Sequence, residues 1–246
     1  THPVIIRYAV ILLMTLILLS NSVCAELDWV RVTTDYTPPK SEGHKMVYNQ
    51  ITEEVVMFGG IQLDHRAQPL YFYNGVDWRV QSPAGDWPSW RSNFGMAYDA
   101  ARDVVVVFGG FQGSGDYLGD TWEWDGTQWE EKLPMQTPED RLSPAFVSAG
   151  PNGLIMYGGY TEDRNYVDDL WAWDGVDWSE VTCSEFPSPT RIGCPLAYDS
   201  ARNRIVMFGG TDNGSRRLSD TWEWDGSTWQ QIETDTIPDG KYGHVI

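Results

Sequence analysis

The chain has 246 residues, with 35 acidic against 17 basic side chains and a net charge of −18. That length is enough to bury a sizeable core. So acidic a chain, with no basic stripe anywhere, repels phosphate backbones and argues against nucleic acid as a partner; the charge otherwise serves to keep the chain soluble.

The first 25 residues differ in kind from the rest. Arg7 precedes an uncharged apolar run from Tyr8 to Leu19, followed by Ser20-Asn21-Ser22 and then Val23-Cys24-Ala25. These are the n-region, h-region and small-residue cleavage site of a signal peptide, predicted to be cut after Ala25. The apolar run is shorter than a bilayer's hydrocarbon core requires, which disfavours a membrane anchor. Residues 21–23 lack the leucine and small residue that would make Cys24 a lipid-attachment site. A secreted or periplasmic protein is therefore expected, with no membrane attachment after cleavage. The remaining chain, 26–246, has 16 basic and 35 acidic residues, or −19.

From residue 41 onward the sequence repeats. Glycine pairs follow Phe or Tyr at Gly59-Gly60, Gly109-Gly110, Gly158-Gly159 and Gly209-Gly210, their first members 50, 49 and 51 residues apart. Trp78, Trp129, Trp178 and Trp229 follow at a nearly fixed delay. A period near fifty marks a repeat architecture, with units of about 41–90, 91–140, 141–190 and 191–240. In the second unit residues 91–99 form a first strand, a, and Val104–Phe108 a second, b, apolar throughout and so buried on both faces. Strand c is Thr121–Asp125, where alternation puts Trp122 and Trp124 on one face. Asp125-Gly126 signals a tight turn into an outer strand d at Trp129–Leu133. The other units repeat this order, with Tyr71 and Tyr73 replacing the paired tryptophans in the first. Such four-stranded sheets bury both faces only by stacking side by side, and closing a ring hides the edges.

The glycine pair after an apolar strand, the preceding Tyr98-Asp99 and Tyr198-Asp199, and the spaced Trp129 and Trp229 resemble the kelch-repeat family. The units Asp120–Gly126 and Asp220–Gly226 look like the version found in secreted bacterial proteins. The resemblance covers about residues 27–246 and implies an all-β, kelch-type β-propeller of four-stranded antiparallel blades. Val147 replaces the usual Tyr, and Pro69 stands where Asp120 sits in the second unit. Leu27–Val32 matches only an outer strand and Lys241–Ile246 only an inner one. The sequence is thus expected to be a fragment, with four complete blades and partial blade strands at both ends.

Alternating strand direction sends the b–c and d–a connections to one face, where the longer ones gather. Binding residues concentrate on loops held by a rigid scaffold. The candidates there are Asp64, His65 and Arg66, Tyr117, Arg164 and Tyr166, and Arg216. Trp87 and Trp90 also stand outside the repeating tryptophan register; they either stack on a ligand or cover the adjoining b–c loop. Arg91, Arg141, Arg191 and Lys241 recur at the head of strand a, as expected of blade-joining donors. Asp120, Asp169 and Asp220 recur before strand c, as expected of local turn bonding. Cys183 and Cys194, an even pair in an oxidising compartment, are expected to form a disulfide, with two buried free thiols as the alternative.

No catalytic motif, metal-ligand pattern or cofactor signature is present, so no catalytic residue, metal or cofactor is assigned. The expected function is a non-catalytic binding module that takes a protein or glycan ligand on its long-loop face. Two alternatives stand beside it. One is a carbohydrate-active propeller enzyme, galactose-oxidase-like or sugar-isomerising, with its catalytic groups in blades outside this sequence. The other is an architectural module of a larger extracellular protein.

Overall fold

The computed structural model describes residues 31–61, 69–82, 85–113, 115–150, 153–163, 165–212 and 216–244. The chain divides into two units, Thr1–Thr33 and Thr34–Ile246. The signal segment, Trp29 and most of the strand expected at 27–32 lie outside the described residues.

The second unit is a series of four antiparallel blades, each built from strands consecutive in sequence. The first comprises β1 (Lys45–Asn49), β2 (Glu54–Phe58), β3 (Leu70–Tyr73) and β4 (Trp78–Gln81). The second comprises β5 (Gly95–Asp99), β6 (Val104–Gln112), β7 (Asp116–Trp124) and β8 (Trp129–Lys132). In the third, a short β9 (Arg141–Leu142) precedes β10 (Ala145–Ser148), β11 (Leu154–Thr161), β12 (Tyr166–Trp173) and β13 (Trp178–Glu180). The fourth holds β14 (Leu196–Asp199), β15 (Arg204–Phe208), β18 (Thr221–Trp224) and β19 (Trp229–Ile232). A small hairpin of β16 (Thr211–Asp212) and β17 (Arg216–Arg217) rises from it. The innermost strands touch in succession, β1 to β5, β5 to β10 and β10 to β14, as the blades of a β-propeller do.

The core lies in the seams between blades. In the second blade Val105 and Val107 face the first blade, while Val106 and Phe108 face the third. This alternation is why strand b is apolar at every position. The indoles of each later blade pack back on the one before it. Trp122, Trp124 and Trp129 fill the first seam, Trp171, Trp173 and Trp178 the second, and Trp222, Trp224 and Trp229 the third. In the second seam polar bonds add direction: the Trp173 indole donates to Glu123 Oε1 at 2.8 Å and the Trp178 indole to Thr121 Oγ1 at 2.9 Å. Glu123 also accepts from Arg102 at 2.7 Å, so this buried carboxylate is paired.

Backbone bonds link the heads of the inner strands. Asn93 N–H donates to the Gly43 carbonyl at 2.9 Å, Ser143 to Asn93 at 2.5 Å and Gly243 to Gly193 at 2.8 Å. All five of these repeat-related residues have φ between 51° and 72°. Residues 241–244 form no strand, but they dock on the fourth blade as Arg91–Asn93 does on the first: Gly210 N–H reaches the Lys241 carbonyl, and Gly60 N–H the Arg91 carbonyl, both at 2.8 Å.

The glycine pair makes this approach possible. Gly109 has φ +66°, and a Cβ there would lie 2.7 Å from the Arg141 carbonyl oxygen of the next blade. Gly126 in the c–d turn has φ +95° and nothing within 4 Å of such a Cβ. Gly126→Ala is therefore expected to cost only the left-handed strain, about 1–2 kcal/mol. Gly109→Ala should cost about 1–3 kcal/mol more, through displacement of the neighbouring blade. Urea denaturation of the two variants checks this; equal losses would show that the seam is not the constraint.

Candidate functional site

The long-loop face is anchored by a repeated clamp. Arg91, Arg141 and Arg191 are at most 1% exposed. Arg91 donates to the Ser89 carbonyl (3.1 Å) and hydroxyl (3.3 Å), to the Gly109 carbonyl (3.1 Å) and to both oxygens of Asp120 (2.7 Å each). All five guanidinium hydrogens thus have acceptors. Arg191 repeats this with Ser188, Pro189, Gly209 and Asp220, and Arg141 with Glu139, Gly158 and Asp169. The aspartates also accept the indole N–H of Trp122, Trp171 and Trp222.

Two expectations are corrected here. The arginine side chains do not join blades. The hydrogen bonds of each one staple strands a, b and c of its own blade, and the bonds that cross a seam come from backbone groups and from other side chains, the Trp173 and Trp178 indoles among them. The aspartates are not turn-bonding residues but the arginines' bidentate partners. In the first blade both members are missing together: Ser41 replaces the arginine and Pro69 the aspartate, and the Ser41 hydroxyl takes the Gly59 carbonyl at 3.1 Å.

Above the clamps, the b–c connections of the second and third blades are hairpins rather than loops. A register shift at each glycine pair lets β6 run on to Gln112 and β11 to Thr161. Phe111 then pairs across the hairpin with Tyr117, ring centroids 5.9 Å apart. Tyr160 pairs likewise with Tyr166 at 5.1 Å. Tyr117 and Tyr160 meet between blades at 6.2 Å, so the four rings form one row across two blades. All four are half-buried. Burial, and secondarily Tyr160, raises the Tyr166 hydroxyl above its ordinary pKa.

Of the residues expected at this face, Tyr117 and Tyr166 stand in that row, and Trp90 packs its indole on Gly113 of the second-blade hairpin. Arg216 is exposed on the separate β16–β17 hairpin. Asp64, His65, Arg66 and Arg164 lie outside the described residues. Trp87 is carried elsewhere, because its d–a connection dips along the seam toward the c–d turn. Its ring lies 5.8 Å from Trp124 and 6.1 Å from Trp129, the pair flanking that turn. Corresponding segments dip too: Tyr36 N–H donates to Asp77 and Gln136 N–H to Asp177, both in c–d turns. Beside Trp87 lies a cleft of about 700 Å³ lined by Asp86, Trp122, Trp129 and Glu131. Phe111 and Tyr160 escaped the sequence reading. Their signal was their position, each directly following a glycine pair.

The expected disulfide is not formed. Cys183 and Cys194 are free thiols toward opposite ends of the fourth blade, Cys183 against Trp224 near the c–d turn and Cys194 against Gly210 near the long-loop end. Burial raises both thiols, Cys194 to about 12. Among the described residues no three His, Cys, Asp or Glu side chains converge as metal ligands.

Stacked four-stranded sheets joined at glycine pairs define a repeat propeller. A sequence model of the KLHDC2/KLHL20/DRC7 Kelch-repeats domain matches residues 18–176, more than half of the chain, and the protein belongs to the kelch-repeat family. Host cell factor 1 of Homo sapiens and of Rattus norvegicus is 31% identical over 121 residues, which cover 47% of this chain and 6% of those proteins. The match thus spans only a small part of the relatives' length. The solved structure of YjhT superposes with a TM-score of 0.64 at 12% identity, over 84% of this chain and 72% of that one, a likeness of fold.

Two outcomes are expected. Burial alone would raise the Asp120 carboxyl, but the Arg91 hydrogen bonds and charge outweigh it and hold the group below its ordinary 3.8. The stabilisation is therefore complete above that value and is lost as pH falls through the depressed one. Asp120→Asn should lower stability by about 3 kcal/mol at neutral pH, and the gap to wild type should close below pH 3.8, as read by urea denaturation across pH. Thiol titration of residues 26–246, unfolded without reductant, should count both Cys183 and Cys194, and in the folded protein Cys194 should not react.

Proposed function

We propose that this protein is an exported, non-catalytic binding module that holds a partner protein against its long-loop face. Kelch-repeat propellers commonly mediate protein interaction, and this chain has that scaffold. The observation that carries the reading is the row Phe111, Tyr117, Tyr160 and Tyr166. Half-buried aromatic rings on stiff hairpins offer a large contact area at small entropic cost, the composition that interface centres favour. Trp87 and Trp90, the indoles suited to stacking on a sugar, are engaged in packing, which favours a protein ligand over a glycan. Export rests on the signal-like segment at residues 1–25.

Selection of a random displayed peptide library on the purified protein tests this. Selected peptides are expected to lose about tenfold in affinity on Tyr160→Ala. They should be indifferent to Val176→Glu, an exposed position in a c–d turn on the opposite face. Sensitivity at Val176 with none at Tyr160 would place the interface elsewhere. Export is checked by N-terminal sequencing of the expressed protein, which should begin at Glu26.

A further inference from the structure

The aromatic row sits in a strongly acidic neighbourhood. The second- and third-blade hairpins and the connection between those blades carry Asp116, Glu139, Asp140, Glu162, Asp163 and Asp168. All six are described, and the only base in those segments is Arg164. Asp116 and Tyr117 are adjacent in the chain, and Tyr166 and Asp168 are two apart on β12, where the Asp168 carboxylate accepts from the Thr190 hydroxyl at 3.2 Å. Asp140 lies against Gly119 at the foot of the same hairpin. Burial, together with the Asp120 charge, raises its carboxyl, with Arg141 only partly offsetting them. A cation arriving there would relieve that repulsion.

The chemistry is complementary to one class of side chain. Tyrosine faces attract cations through the ring quadrupole, and flanking carboxylates add charge-assisted hydrogen bonds. A hydrophobic ligand alone would leave those carboxylates poorly solvated, and an acidic one would meet like charge. The fourth-blade hairpin bounds the patch, with Arg216 exposed and the Arg217 guanidinium 5.4 Å over the Tyr242 ring. We infer that the face of the second and third blades recognises a lysine- or arginine-bearing segment of a partner protein, its basic side chains crossing the Tyr117–Tyr160 junction between the flanking carboxylates. This rests on the reading of the long-loop face as the docking surface.

Fluorescence polarisation with a labelled lysine- and arginine-rich peptide, its glutamine counterpart and its glutamate counterpart tests the inference on the whole protein. The basic peptide should bind and the other two should not. Binding should weaken about tenfold in Tyr117→Ala/Tyr160→Ala, and similarly in Glu162→Gln/Asp163→Asn, whose exposed positions leave folding unaffected. Basic-peptide binding that ignores both double variants would be diffuse attraction to an acidic protein and would overturn the inference. Library-selected peptides that need Tyr160 but carry no excess of lysine or arginine would overturn it too, while leaving the long-loop face as the docking surface. Selected peptides that are indifferent to Tyr160 would remove both.

Discussion

Backbone contact at the heads of the inner strands sets the spacing of this propeller. The bonds from Asn93 to Gly43, from Ser143 to Asn93 and from Gly243 to Gly193 hold successive blades at backbone distance. That distance is available only because two glycines follow the apolar run of strand b in the preceding blade. A side chain at Gly109 would occupy the space of the Arg141 carbonyl, and one at Gly209 that of the Lys241 carbonyl. With the inner edge fixed in this way, the indole layers have a defined gap to fill. Apolar packing then supplies most of the driving force.

The arginine–aspartate clamp answers a problem this closeness creates. At the glycine pair the ladder of strand b stops or shifts register, which leaves the carbonyl of the first glycine in a crowded interior, and a buried acceptor without a donor is costly. Arg91 and Arg191 supply donors to those carbonyls, and the aspartates neutralise the charge thereby buried. The first blade shows the logic by omission. Without an arginine it needs no aspartate, and a serine hydroxyl serves its Gly59 carbonyl instead. The clamps leave the hairpins above them on a rigid base, so the aromatic row is presented without support of its own.

Much of the architecture was legible because it is local and repeated. The period, the glycine pairs, the apolar b strands and the Asp-Gly turns each encode a strand or its end, and four copies remove the ambiguity of any one. The site was legible only in part. Tyr117 and Tyr166 stood out as aromatics in connections, but Phe111 and Tyr160 did not, since a glycine pair ordinarily ends a strand. A register shift at the glycines lets each strand continue and turns those two residues into partners. Trp87 was misplaced for the opposite reason, because a connection's path around the perimeter leaves no periodic trace.

Short-range chemistry in the chain is sufficient to specify strands, turns and their repetition, and through these the propeller. It does not specify which side chains from different repeats come together. Tyr117 meets Tyr160, Trp178 meets Thr121 and Arg91 meets Asp120 because three-dimensional packing brings distant segments to one point. Cys183 and Cys194 stay apart although only a short stretch of chain separates them. Proximity along the chain and proximity in space agree within a strand or a turn and diverge across a seam, and the candidate binding surface lies across a seam.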